Sequence, residues 1–349
     1  MRSPSPPASL ARSTREQGSA LLLAIFVMVI STMLVADLLW RQFVLYRTIE
    51  NQQASAQAQL LLHGAQDWAR SILQDQPHPS YDALSDSWAQ PLAQTRLDQL
   101  GETSPIAARA TLEGGIEDAQ ARFNLRNLLD GAGNVNPTQL AVLEKLASLL
   151  SVPPDSAKLI AVYLAQTYSN PASMAANPAN NLPANMNPQL NPQAGQPGAA
   201  FVAPLTQGSR PIPPVFPEDL AAVPGISPAA AQMLAPFVIL LDQPGTQINF
   251  NTASPEIMAA AVPELSISDA NALAAERDRA YFVNTGDIQN RLHGRGGSMS
   301  MAGISTNSQY FIVRGVVRLD NAATRMRALV HRFGAGPGGS VIVLWERDT

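Results

Sequence analysis

Few residues in this chain have the types and spacing that chemistry needs. The four histidines, His63, His78, His293 and His331, share no metal-ligand spacing. There is no cysteine, which excludes a disulfide scaffold, a thiolate zinc site and a cysteine nucleophile. No G-x-S-x-G elbow and no P-loop occurs, and the Gly-rich string "LHGRGGSMSM" at 292–301 reads as a loop. The best oxygen cluster is "LLDGAGNVNP", where Asp130, Asn134 and Asn136 could face a hard cation. The same residues are those a tight turn uses. No catalytic residue is assigned, and the chain does not read as an enzyme.

Two stretches look like helix-hairpin-helix units: 218–237, with Pro224-Gly225-Ile226 as the hairpin, and 248–278, a copy without the hairpin Gly. Such hairpins hold nucleic-acid phosphates through backbone N–H groups, helped by Lys and Arg. From Pro211 to Glu276 there is no Lys or Arg, while seven acids occur: Glu218, Asp219, Asp242, Glu256, Glu264, Asp269 and Glu276. Phosphate attraction supplies most non-specific affinity, so this surface is expected to repel DNA. A membrane-anchored helix-hairpin-helix protein for DNA uptake stands as the alternative reading.

The elements that position these residues begin with an uncharged run from Ser19 to Ala36, directly after Gly18. Its length suits a tilted membrane helix better than a secretory signal, which is shorter and ends at a small-residue cleavage site. Arg2, Arg12 and Arg15 against Glu16 keep the front edge cytoplasmic, so the rest faces outward. Residues 41–75 continue as a helix, without Pro until Pro77 and with Phe43, Ala54, Ala58, Leu61, Leu62, Ala65, Trp68, Ala69 and Ile72 at helical spacing. Residues 106–113 and 116–120 read as a hairpin around Gly114-Gly115. Residues 137–168 hold two helices, the first striped by Leu140, Leu143, Leu146, Leu149 and Leu150. From Ser169 to Pro217 there are eleven Pro, seven Asn and one charge, Arg210, which reads as a disordered loop. Three strands close the chain at 309–319, 324–333 and 340–348; Arg314, Arg318, Arg325, Arg327, Arg332 and Arg347 are expected on the wet face of that sheet, some of them toward a partner. The chain has 349 residues, 14% charged, with a formal net charge of −4. That length allows two domains, and the mild acidity weighs against a nucleic-acid partner.

The string R-E-Q-G-S-A-L-L-L resembles the leader of type IV pilins and type II secretion pseudopilins. The resemblance implies cleavage by prepilin peptidase between Gly18 and Ser19, with Ser19 then N-methylated. Most members carry Glu at the fifth mature position; here it is Leu23, a feature of the protein K family of type II secretion minor pseudopilins. "EDAQARFNLRNLL" and the I-N-x-N-T-A string of "INFNTA" at 248–253 also resemble that family, the latter in a structural role; the same string occurs in DNA-uptake proteins. The implied fold class is α+β. A pilin-like long N-terminal transmembrane helix and a small antiparallel sheet would carry a large inserted all-α domain of helix-hairpin-helix or SAM-like type. The implied domains are a leader at 1–18, a transmembrane segment at 19–40 and a pseudopilin helix with first strands at 41–125. An inserted domain follows at 126–305, with the loop at 169–217 inside it, and completing strands at 306–349. The implied partners are other minor pseudopilins (I and J type, then H type), the major pseudopilin, prepilin peptidase and the inner-membrane secretion platform. The implied place is the inner membrane, single-pass, with the C-terminal domain in the periplasm, at the tip of the pseudopilus. Calcium binds in that family, but its D-W-x-D-x-D run is absent here, so no cofactor is expected.

Overall fold

The structure, a computed structural model, describes residues 13–78, 80–168, 211–292, 301–320, 322–334, 336 and 339–348. Most of the leader (1–12), the Pro- and Asn-rich stretch at 169–210 and the Gly-rich string at 293–300 lie outside them. The chain divides into two compact units. The first takes residues 1–61, 96–111 and 317–324; the second takes 62–95, 112–316 and 325–349.

Helix α1 runs over Ser13–Gln74, 62 residues and about 93 Å long at 1.5 Å per residue. Its portion in the first unit is bare from Ser19 to Gln53, with Leu21, Phe26, Met28, Met33, Leu38 and Trp40 all well exposed. Ser31 and Thr32 turn their hydroxyls back onto the carbonyls of Val27 and Val29, which satisfies both within the helix. The helix is long and apolar enough to cross a membrane. Where charge returns, Arg41 pairs with Asp37 at 2.8 Å, one turn earlier.

After α1 the strands come first. β1 is Leu92–Arg96, β2 Ala110–Asp118 and β3 Phe123–Asn124. Helices α2 (Pro137–Leu149) and α3 (Asp155–Tyr168) follow. Then come α4 (Pro228–Leu234), β4 (Val238–Ile239), β5 (Ile248–Asn249), α5 (Pro255–Ala261), α6 (Ile267–Arg279) and α7 (Thr285–Leu292). The chain closes with β6 (Ile304–Ser305), β7 (Tyr310–Leu319), β8 (Ala322–Phe333) and β9 (Ser340–Asp348). The five long strands form one sheet in the order β1-β2-β7-β8-β9. β8 and β9 are antiparallel, Met326 opposite Asp348 and Phe333 opposite Ser340. The described α-helices other than α1 all lie between β3 and β6 in sequence, so the sheet is split by a helical insertion and resumes with β7.

Four helices of the insertion have a local reason to start where they do. Asn136 caps α2 through Thr138 and Gln139, with Pro137 in the first turn. Ser227, Ser254 and Ser266 cap α4, α5 and α6, each accepting the N–H three residues on. Leu140, Leu143 and Leu146 of α2 and Ile160 and Leu164 of α3 meet Phe123, Phe250, Met258 and Leu273 in one core. The first hairpin differs from the sequence reading in its leading limb, which is a 3₁₀ turn over Pro217–Ala222 and not an α-helix. Gly225 supplies the left-handed residue at its bend, φ +87°.

The expected hairpin at Gly114-Gly115 is absent. β2 passes straight through both glycines. They serve a close approach instead: a Cβ on Gly114 would stand 2.5 Å from the carbonyl oxygen of Arg314 in β7. Gly114→Ala is therefore expected to push β2 off β7 and cost about 1–3 kcal/mol, read as a lower urea midpoint. An unchanged midpoint would mean that the strands part freely.

Candidate functional site

The two strings singled out above as family-like are where the inserted domain is fastened, and both use asparagine. In "FNLRNLL", Phe123 and Asn124 make a two-residue parallel pair with Val238 and Ile239. Asn124 Nδ2 then donates to Gln243 O (2.8 Å) and Thr246 Oγ1 (2.7 Å), while its Oδ1 accepts from Leu241 N (3.1 Å). Asn127 Oδ1 accepts from the N–H groups of Gly245 and Thr246, and its Nδ2 donates to Thr246 O. The two carboxamides thus take over the backbone groups of a tight loop that has no ladder of its own.

In "INFNTA", Ile248 and Asn249 make a second parallel pair, with Ile304 and Ser305. Asn249 is fully buried. Its Nδ2 faces Asp118 Oδ2 (2.9 Å), Ser308 Oγ (3.0 Å) and Asp82 O (3.2 Å). Asn251 exchanges hydrogen bonds with the backbone of Phe282 and also donates to Thr306 O. Thr252 and Ser308 both donate to Asp118 Oδ2. Asp118 is buried, which pushes its carboxyl pKa up, against the pull of these donors. Beside it, Arg332 Nη2 meets Asp82 Oδ2 and Ser308 O (2.7 Å), with the guanidinium over the Phe311 ring. Asp82 is raised from 3.8 to about 6, because burial outweighs the lowering by Arg332.

Sequence reasoning missed this hub, and it misplaced one member. Arg332 is not on the wet face; it is 4% exposed. The signal was there: Met326, Ala328 and Val330 face inward, and Arg332 continues their parity. Of the other arginines, Arg314 pairs with Glu117 at 2.8 Å, Arg327 with Glu218 at 3.3 Å, and Arg347 lies over the Phe216 ring. Arg325 is exposed and Arg318 half-buried.

The remaining expected site residues separate into two places. Gly18, Ser19 and Leu23 all lie within α1, Leu23 at 68% exposure. The oxygen cluster is a turn. Asp130 Oδ1 accepts from Ala132 N and Asn134 N, both at 2.8 Å, and these bonds hold its carboxyl below the usual range, with the Asn134 N–H the largest cause. Asn136 spends its side-chain oxygen on α2. One carboxylate already serving its own loop does not fit calcium, which takes six to eight oxygens, several of them charged.

Comparison with known proteins agrees with these two fastening strings. Two family models, both described as type II secretion system protein K, match residues 121–243 and 248–307, together more than half of the chain. The protein K of Pseudomonas aeruginosa is 25% identical over 94% of this chain and 92% of its own. That of Klebsiella pneumoniae is 24% identical over 92% of this chain and 94% of its own. A chain from the crystal structure of the GspK-GspI-GspJ complex of enterotoxigenic Escherichia coli superposes with a TM-score of 0.58. It is 21% identical, covering 85% of this chain and 98% of that one. A bare apolar helix, a split antiparallel sheet and an insertion clasped by these two strings all agree, and the chain belongs to the type II secretion system protein K family of minor pseudopilins.

Proposed function

We propose that this minor pseudopilin sits at the tip of the pseudopilus, where it starts assembly and adds no further subunit above itself. The observation that carries this is the helical insertion between β2 and β7, as large as a second domain. Subunits related by a helical operator stack through two different faces, and a mass on the upper face stops that stacking. Leu23 supports the same place. A carboxylate in lipid is costly without a partner, and a subunit with no neighbour on one side is better served by Leu. The solved relative is crystallised with GspI and GspJ; we assign this chain partners of the same I and J types, then the H type, the major pseudopilin and the inner-membrane platform.

On this reading α1 anchors the chain in the inner membrane and the second unit works in the periplasm. It acts by assembly and not by catalysis, without calcium and without nucleic acid; the acidic hairpins support the last point. Prepilin peptidase cuts between Gly18 and Ser19, and Ser19 is then methylated. Mass spectrometry of the mature chain is expected to show Ser19 at the N-terminus, and Gly18→Val to abolish the cut, because a β-branched side chain crowds the scissile bond. A mature chain beginning beyond residue 36 would overturn the processing. Labelled protein at regular intervals along the pseudopilus shaft would overturn the tip position.

A further inference from the structure

Lys145 is one of only two lysines in the chain, the other being Lys158. It stands on α2, and its ammonium reaches the turn between α5 and α6. Nζ donates to three backbone carbonyls there: Val262 at 2.8 Å, Pro263 at 2.9 Å and Leu265 at 2.9 Å. An ammonium has three N–H donors and no acceptor, so these oxygens use everything it offers. Val262 O also accepts the Leu265 N–H at 3.1 Å, so the ammonium is its second donor. Val262 follows the last residue of α5, where a helix leaves carbonyls without internal donors and presents the negative end of its dipole. Glu264, in the same turn, acts on the ammonium through space; the short contacts are all to carbonyls.

Carbonyl oxygens converging on one positive centre are how proteins replace the hydration shell of a potassium ion. Ammonium is close to potassium in size, whereas calcium and magnesium bind at shorter distances and favour carboxylates. We propose that the turn between α5 and α6 is a monovalent-cation site that the chain fills with its own Lys145 ammonium. Lys145 is then a tethered ion. It ties α2, inside the stretch matched by one family model, to the turn inside the stretch matched by the other. Arginine is no substitute, because a planar fork cannot aim three donors at one convergent set.

Two measurements on the full chain in detergent micelles test this. In ¹⁵N-lysine NMR, with Lys158→Arg to assign the two signals, the Lys145 ammonium is expected to exchange slowly with water. Lys158, 3.8 Å from Glu144 and without a carbonyl cradle among the described residues, is expected to exchange fast. Fast exchange at Lys145 overturns the proposal, whether or not any variant folds. In thermal unfolding, Lys145→Ala is expected to lower Tm by about 3–10 °C. Potassium or ethylammonium should restore part of that loss relative to choline at equal ionic strength, while the wild type ignores the choice of cation. Lys145→Met, which fills the cradle with a methyl group, should show the loss without the rescue. Rescue of the Met variant as well, or equal cation shifts in wild type and Lys145→Ala, would overturn the site.

Discussion

Arg332→Ala is expected to cost about 3–5 kcal/mol of stability at pH 7.5 and distinctly less at pH 5. Asp82 and Arg332 are both almost wholly buried, so removing the guanidinium leaves a carboxylate with no counter-charge and no water. The pH dependence follows from the direction of the Asp82 shift. Its carboxyl is raised from 3.8 to about 6 by burial, against the lowering by Arg332. The folded state therefore binds that proton more tightly than the unfolded chain. Stability falls as pH rises between about 4 and 6, in the wild type as in the variant. Without Arg332 nothing opposes burial except the Ser308 N–H, the Asp118 charge only adds to the rise, and the window extends upward. At pH 5 the neutral carboxyl tolerates the loss of its partner; at pH 7.5 it does not. Urea unfolding at the two pH values reads the difference, and equal losses at both would sink the ion-pair account. Asp82→Asn combined with Arg332→Met is expected to regain much of the stability, since replacing both buried charges is milder than orphaning one.

Asn249→Ala is expected to be nearly as damaging, about 3 kcal/mol or more. Its carboxamide donates to the buried Asp118 carboxylate, and bonds to a charged group carry about 1.5–3 kcal/mol. It also accepts from Asn251 N at 2.9 Å, which sets the second asparagine of the string toward Phe282. Asn249→Asp is expected to be worse at neutral pH and to improve on acidification, because it adds a third carboxylate beside Asp82 and Asp118. Thermal unfolding of both variants checks this; a loss under about 1 kcal/mol for Asn249→Ala would mean that Thr252 and Ser308 suffice to hold Asp118.

Much of this fold is legible where its causes are local. The apolar run, the leucine stripe of α2, the Ser-Pro helix starts and the alternation in β8 each state their element within a few residues. The fastening strings were legible as patterns, but not as clasps, because their partners lie from 31 to 167 residues away. The same distance explains the error at Gly114. A glycine pair between apolar runs reads as a turn unless one knows that Arg314, two hundred positions later, brings its backbone against it. The hub of Asp82, Asp118, Asn249, Ser308 and Arg332 draws one residue from each of five separate segments, and its two nearest members in sequence, Ser308 and Arg332, are still 24 positions apart. The processing pair Gly18-Ser19 is the opposite case, a site defined wholly by its neighbours.

The spacing of these clasps also sets an order in time. Asn127 finds Thr246 119 residues on, Asn249 finds Asp118 across 131, and Arg332 meets Asp82 across 250. Closing such long loops is slow, and contacts of this range form late. The chain is delivered from its N-terminus, so Asp82 waits for a partner made 250 residues later. Until β8 arrives, a carboxylate destined for the interior keeps its proximal strands hydrated and open. A chain that ends before Arg332 cannot complete the hub. Copies that stop short of Arg332 therefore stay loose and open to proteases, and only a chain that extends past it can bury the first-made acid of the hub.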